Sequence, residues 1–170
     1  QVFPQGLGIK KLFYLRFDKH EQSKFKREAS QDSFYITDEL HLSHLHFPHE
    51  NKMGQHYCRR WSSLSTLKDW VDRGRPCKPE TSYYGSLKVQ KSRPIGSDET
   101  YFCFTLATQK RKKGQFVGNP YSVTLGLALN DELKKIMKFW DDPAIPEKTV
   151  GQTCETCPIL DCKERAVPPG

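Results

Sequence analysis

The sequence predicts an α+β domain with a central antiparallel sheet and a cysteine-rich C-terminal segment suited to a metal ion or cluster. Three observations carry that expectation. Runs rich in aromatic and β-branched residues recur at 9–17, 33–36, 82–89, 100–108 and 121–129. Only two stretches, 62–71 and 133–140, place apolar residues at helical spacing. Three of the six cysteines fall close together at the end, spaced C-x2-C-x4-C as Cys154, Cys157 and Cys162.

The elements follow in order. Residues 1–8, with Pro4, Gly6 and Gly8, read as a linker. Ile9 to Phe17 alternates in part and reads as the opening strand. Arg16 within it belongs on the solvated face of a half-buried sheet or on an anion. Residues 18–24 read as a polar turn, and Ser33 to Ile36 as a short second strand. A histidine-rich stretch follows, with His41, His44, His46 and His49, then His56. Its alternation favours imidazoles on the wet face of an extended segment over a zinc site, and the metalloprotease pattern H-E-x-x-H is absent.

Ser62 to Val71 reads as a helix, with serines near its start to cap free amides. Cys58, in Tyr57-Cys58-Arg59-Arg60-Trp61, then lies near a helix N-terminus, where positive partial charge lowers a thiol pKa. Residues 82–89 and 100–108 read as strands around a loop at 91–99, with Cys103 a buried, inert thiol. Lys110 to Gly114 forms a basic hairpin tip, read equally as a solvated turn or a phosphate contact. Tyr121 to Leu129, the most apolar run, reads as a central strand, where Gly126 marks a bulge or the close approach of another group. Asn130 to Glu132 caps a helix over 133–140, which Pro143 and Pro146 end.

Length and charge bound the function. At 170 residues the chain is read as one domain over 1–170, its tail at 151–170 packed on the rest. Hydrophobic residues at 36% and aromatics at 12% are enough for a core. Net charge of +7 favours an anionic partner. No apolar stretch approaches the ~20 residues a helix needs to cross a bilayer, and no membrane partner is expected. Without a secretion signal, dense cysteines point to the cytoplasm and to metal rather than disulfides. A start at Gln1 without Met leaves room for a domain upstream.

The terminal cysteines let three soft thiolates converge, as zinc or an iron–sulfur cluster requires. A fourth ligand must come from elsewhere. Cys58 is the first choice and Cys77 its competitor. Cys157-Pro158 tilts the reading toward iron–sulfur.

These residues resemble a known family. The end from Gly151 to Pro169 is similar to the C-terminal signature of the short-chain fatty acyl transcriptional regulators, bacterial proteins with an Xre-type helix-turn-helix at the N-terminus. Tyr57-Cys58-Arg59-Arg60-Trp61 resembles the family's Cys-Pro-x-Trp stretch, with Arg59 in place of the proline. Tyr101-Phe102-Cys103-Phe104, Leu125-Gly126-Leu127 and Leu12 to Asp18 resemble three of its strands. The histidine segment at 41–49 has no counterpart in that pattern.

The resemblance implies a GAF-like ligand-sensing domain that binds a short-chain acyl-CoA or coenzyme A. It implies a 4Fe-4S cluster on Cys58, Cys154, Cys157 and Cys162, with zinc as the alternative. It places Arg16 in the acyl-CoA pocket, with Arg27 a second ligand-binding residue. DNA would be reached through a helix-turn-helix domain absent from this chain, and a homo-oligomer is compatible with the reading. A zinc-stabilised nucleic-acid-binding module is the alternative function. Catalysis is not expected. No nucleophile–base pair or Gly-rich phosphate loop stands out, and Asp141-Asp142 beside Pro143 reads as a helix terminator.

Overall fold

The computed structural model describes residues 12–19, 34–42, 56–74, 77–78 and 83–168. The strands are β1 (Leu12–Lys19), β2 (Phe34–Leu42), β3 (Cys77–Lys78), β4 (Tyr83–Pro94), β5 (Tyr101–Thr108), β6 (Arg111–Lys112), β7 (Gln115–Phe116), β8 (Tyr121–Ala128) and β9 (Glu147–Val150). The helices are α1 (Ser62–Asp72) and α2 (Asp131–Ile136). The architecture is α+β, as predicted.

The large sheet runs β2-β1-β8-β5-β4-β3 with antiparallel neighbours throughout. The sheet is nevertheless mixed, because β9 pairs parallel with the second half of β4. The small hairpin β6–β7 stands apart from it. β8 is central, between β1 and β5, as its apolar run predicts.

Strand alternation sorts side chains onto two faces. Phe13, Leu15 and Phe17 join Trp61, Leu64, Leu67, Trp70, Tyr101, Cys103 and Ala107 in the main core beneath α1. A short hydroxyl chain lets the helix sit close: Ser62 Oγ lies 2.7 Å from Thr105 Oγ1, which lies 2.7 Å from Thr124 Oγ1. On the other face Phe102, Leu127, Leu133 and Met137 form a smaller core at one end of the sheet.

Several boundaries differ from expectation. Asp18 and Lys19 continue β1 rather than turning: Asp18 pairs with Tyr121 of β8, and Lys19 N donates to Pro120 O at 2.9 Å. The second strand reaches Leu42 because β1 offers a long edge to pair with, so His41 lies in β2. His44, His46, His49 and Arg27 lie outside the described residues. β4 runs through the predicted loop to Pro94, because β9 supplies a hydrogen-bonding partner there.

The serines of α1 do not cap it. The N-cap is Trp61, without a side-chain hydrogen bond, and Ser62 and Ser63 are buried against the sheet. α2 is capped as predicted, by Asn130 accepting from Leu133 N at 2.8 Å. It ends at Ile136 rather than Trp140, and Met137 is extended. Asp142 Oδ1 accepts from Ala144 N at 2.8 Å, which tightens the turn around Pro143.

Gly126 is a close-approach site. A Cβ there would stand 2.2 Å from the Phe13 ring, its cross-strand partner on β1. Gly126→Ala should therefore cost about 1–3 kcal/mol by overpacking. In urea melts, the loss should be smaller in a Phe13→Leu background than in the wild type. Equal losses in both backgrounds would show that the ring contact is not the cause.

Candidate metal centre and its docked tail

The C-terminal tail is tied to the segment just before α1. Tyr57 and Thr153 form an antiparallel bridge. Cys58 N donates to Gln152 O at 2.9 Å, and Cys154 N donates to His56 O at 2.7 Å. The buried Trp61 indole donates from Nε1 to Gly151 O at 2.8 Å. His56 Nδ1 lies 2.7 Å from Glu155 Oε1, and His56 N donates to the same oxygen at 3.0 Å. Burial acts upward on the Glu155 carboxyl, but these bonds from His56 outweigh it and hold it below its usual value.

Two thiols are wrapped by backbone amides. Gly151 N donates to Cys58 Sγ at 3.3 Å, and Ala166 N donates to Cys154 Sγ at 3.4 Å. Cys157 reaches the same place: its Sγ would stand 3.6 Å from a Cβ at Gly151. Cys58 and Cys154 are buried, and Cys157 and Cys162 are half-buried. All four are free thiols. Cys162 is held in the tail turn through its carbonyl, which accepts from Arg165 N at 3.1 Å.

Arg165 organises the turn. Its guanidinium donates to Cys154 O at 2.6 Å, Ile159 O at 2.7 Å and Cys157 O at 2.9 Å. A planar fork of donors suits this task, because the carbonyls converge from different directions. Lys148 and Glu164 pair at 2.9 Å and fasten the turn to β9.

The expected low pKa of Cys58 is corrected. Burial pushes the thiol up, against hydrogen bonds from Gly151 and Arg60 N–H, and the nearby Cys154 and Cys157 push it the same way as burial. Desolvation outweighs proximity to the start of α1. A metal that binds here must displace a proton. Among the described residues, no three His, Cys, Asp or Glu side chains converge tightly enough to hold one metal ion. Cys103 sits apart, fully buried on β5, with burial pushing its thiol up to about 12 against a hydrogen bond from Ser92. That is the inert role predicted for it. Cys77 pairs through its backbone with Tyr84 at the edge of the sheet.

Arg16 lies on the face opposite the main core. Its Nε donates to the buried Asp18 carboxylate at 3.1 Å, and its guanidinium lies 4.5 Å from the Tyr121 ring centroid. Thr37 Oγ1 donates to the same carboxylate at 2.5 Å. An anionic ligand at Arg16 would share it with Asp18. A cleft of about 360 Å³ opens beside the tail, lined by Ile95, Gly96, Val150, Gly151, Cys157 and Pro158. Arg16 is not among its lining residues.

The chain is similar in fold to a Mycobacterium tuberculosis transcriptional regulator. The TM-score is 0.58 at 18% identity, over 99% of this chain and 42% of the regulator. The chain thus spans under half of that regulator's length. No protein-family model matches the chain, and no curated protein matches its sequence. Among the described residues no helix is long and apolar enough to cross a membrane.

Sequence reasoning missed the fasteners of the tail: Gly151, Arg165 and the His56–Glu155 pair. Their roles rest on carbonyls and amides of distant residues, which leave no periodic trace. Arg165→Ala should free three carbonyls from their donor, at a cost of about 1.5–3 kcal/mol. Hydrogen exchange should show faster exchange confined to 151–168, and Arg165→Lys should not restore protection. Unchanged exchange in the alanine variant would refute the clamp.

Proposed function

We propose that this chain is the GAF-like ligand-sensing part of a bacterial transcriptional regulator, binding a short-chain acyl-CoA and carrying a 4Fe-4S cluster on Cys58, Cys154, Cys157 and Cys162. The observation that carries the reading is the docking of the tail. It brings Cys154 and Cys157, from the C-terminal tail, to Cys58 just before α1. The regulator fold and the sequence resemblance support it from other directions.

The donor chemistry of the four cysteines suits such a group. Thiols are the donors that iron–sulfur clusters use, and amide hydrogen bonds to ligand sulfurs are the contacts that tune them. A cluster takes each cysteine at a separate iron, so its ligands stand wider apart than the four around one zinc. Bound, the cluster would tie the tail to the middle of the chain. It would supply redox sensitivity as well as a cross-link that limits the unfolded chain.

Signalling follows from a difference in affinity. An acyl-CoA that binds one arrangement of the domain better than another shifts the population, and a DNA-binding helix-turn-helix elsewhere in the protein feels the shift. Arg16, with its Asp18 partner, is the anion contact proposed on the chain. Arg27 is the second.

Protein purified anaerobically should be brown, with visible absorption near ~400 nm from thiolate-bound iron. Serine at Cys58, Cys154, Cys157 or Cys162 should abolish that colour, and Cys103→Ser should keep it. Isothermal titration with acetyl-CoA and propionyl-CoA should show binding that Arg16→Ala weakens. Colourless protein containing zinc would overturn the cluster, and absence of heat with every acyl-CoA and with coenzyme A would overturn the sensor.

A further inference from the structure

The hairpin β6–β7 has no part in the site above. It carries Lys110, Arg111, Lys112 and Lys113 in succession, and no acidic residue lies between Thr108 and Asn119. We propose that this hairpin is a nucleic-acid contact, gripping the phosphate backbone of a duplex without reading its sequence.

The turn itself carries the first argument. Lys112 pairs with Gln115, so Lys113-Gly114 form a two-residue turn. Lys113 has φ 50° and Gly114 φ 81°, both left-handed. Asn-Gly or Asp-Gly is the favoured pair in such a turn, because their side chains tolerate that backbone region. A lysine there accepts conformational strain that asparagine would avoid. What it adds is one positive charge at the outermost point of the ribbon.

The mounting is rigid. Phe116 packs edge-on against Trp70 of α1, with ring centroids 6.0 Å apart. Arg111 lies over the Phe116 ring at 5.3 Å and donates to Gly114 O across the turn. Val117 N donates to Lys110 O at 2.8 Å and closes the base of the ribbon. Phe116 and Arg111 thus brace the hairpin, and Lys110, Lys112 and Lys113 are exposed. Among the described residues none of these three lysines has an ion-pair partner. The carboxylates at the C-terminal end of α1 are already engaged, Asp69 with Lys88 and Asp72 with Lys68.

The chemistry of the tip selects the partner. A protein interface has a core rich in aromatic and apolar side chains and depleted in lysine, and an interfacial membrane contact inserts apolar side chains. The exposed tip offers neither, since its one aromatic ring is turned onto Trp70. Closely spaced, strongly hydrated ammonium groups on a stiff ribbon match a phosphate backbone, where charge repeats at short intervals. The proposal does not depend on acyl-CoA binding or on the cysteines, so it stands or falls apart from the sensor reading.

The test uses the 170-residue chain without ligand and a short fluorescein-labelled DNA duplex of random sequence, with anisotropy read over a salt series. The double variant Lys112→Gln/Lys113→Asn removes two charges, and Asn suits the left-handed turn, so folding should not suffer. Each lysine lost should lower the slope of log K against log salt by about 0.9, so the variant's slope should fall by about 2. A control, Lys135→Gln/Lys138→Gln on and after α2, removes the same charge from exposed positions elsewhere and should leave the slope unchanged. The proposal is overturned if the wild type does not bind, if the control loses as much as the hairpin variant, or if the hairpin variant loses binding only to anionic phosphatidylserine vesicles.

Discussion

The hydrogen bond from the buried Trp61 indole to the Gly151 carbonyl, with the short backbone bridge beside it, is the constraint on which the rest depends. An indole N–H in a core must find an acceptor, since leaving it unpaired costs about 1–3 kcal/mol. Here the acceptor is at the root of the tail. The same tryptophan stacks edge-on with Phe13 at 5.6 Å and so belongs to the sheet's main core. One side chain therefore joins the packing of the domain to the position of its C-terminal loop. The amide of that same Gly151 donates to Cys58 Sγ. Core packing and the environment of the thiols are set by adjacent atoms.

The sheet divides the molecule by task. Its α1 face is closed by large rings and by a ladder of small hydroxyls, and it carries the docked tail at one end. The other face is covered only in part, by α2 and the turns after it. Leu87 is left 66% exposed there, and Arg16 has room to lie over Tyr121. β9 is the link between these regions. It adds to the edge of β4 and leads straight into Gly151, so the tail starts from a fixed point. A chain with the same cysteines on an unpaired segment would have to order the whole tail when its thiols converge, at an entropic cost for each residue.

Much of this was legible in the linear sequence. The strands and α1 showed because their periodicity reports burial, and Gly126 showed because few other reasons put glycine in an apolar strand. Cys58 stood out as a partner for the terminal cysteines through its place before a helix N-terminus, but the lowered thiol pKa expected there is reversed by burial. Boundaries were the weak point. The reach of β4 and β2 was set by which edges found partners. The end of α2 at Ile136 came early although the apolar spacing continues, and Ile136 itself is 52% exposed. The serines of α1 misled because a hydroxyl that caps an amide and one that bonds across a core look identical in one dimension.

By itself, then, the sequence determined the class of fold, the strand-forming segments, the soft-donor chemistry of the tail and the concentration of charge at Lys110 to Lys113, since each depends on residue type and local spacing. Tertiary structure alone decided the parallel addition of β9, the burial that raises the Cys58 thiol, the pairing of Arg16 with Asp18 and the role of Arg165. Those outcomes depend on which distant backbone groups and charges come into contact, and on how much water is excluded where they meet.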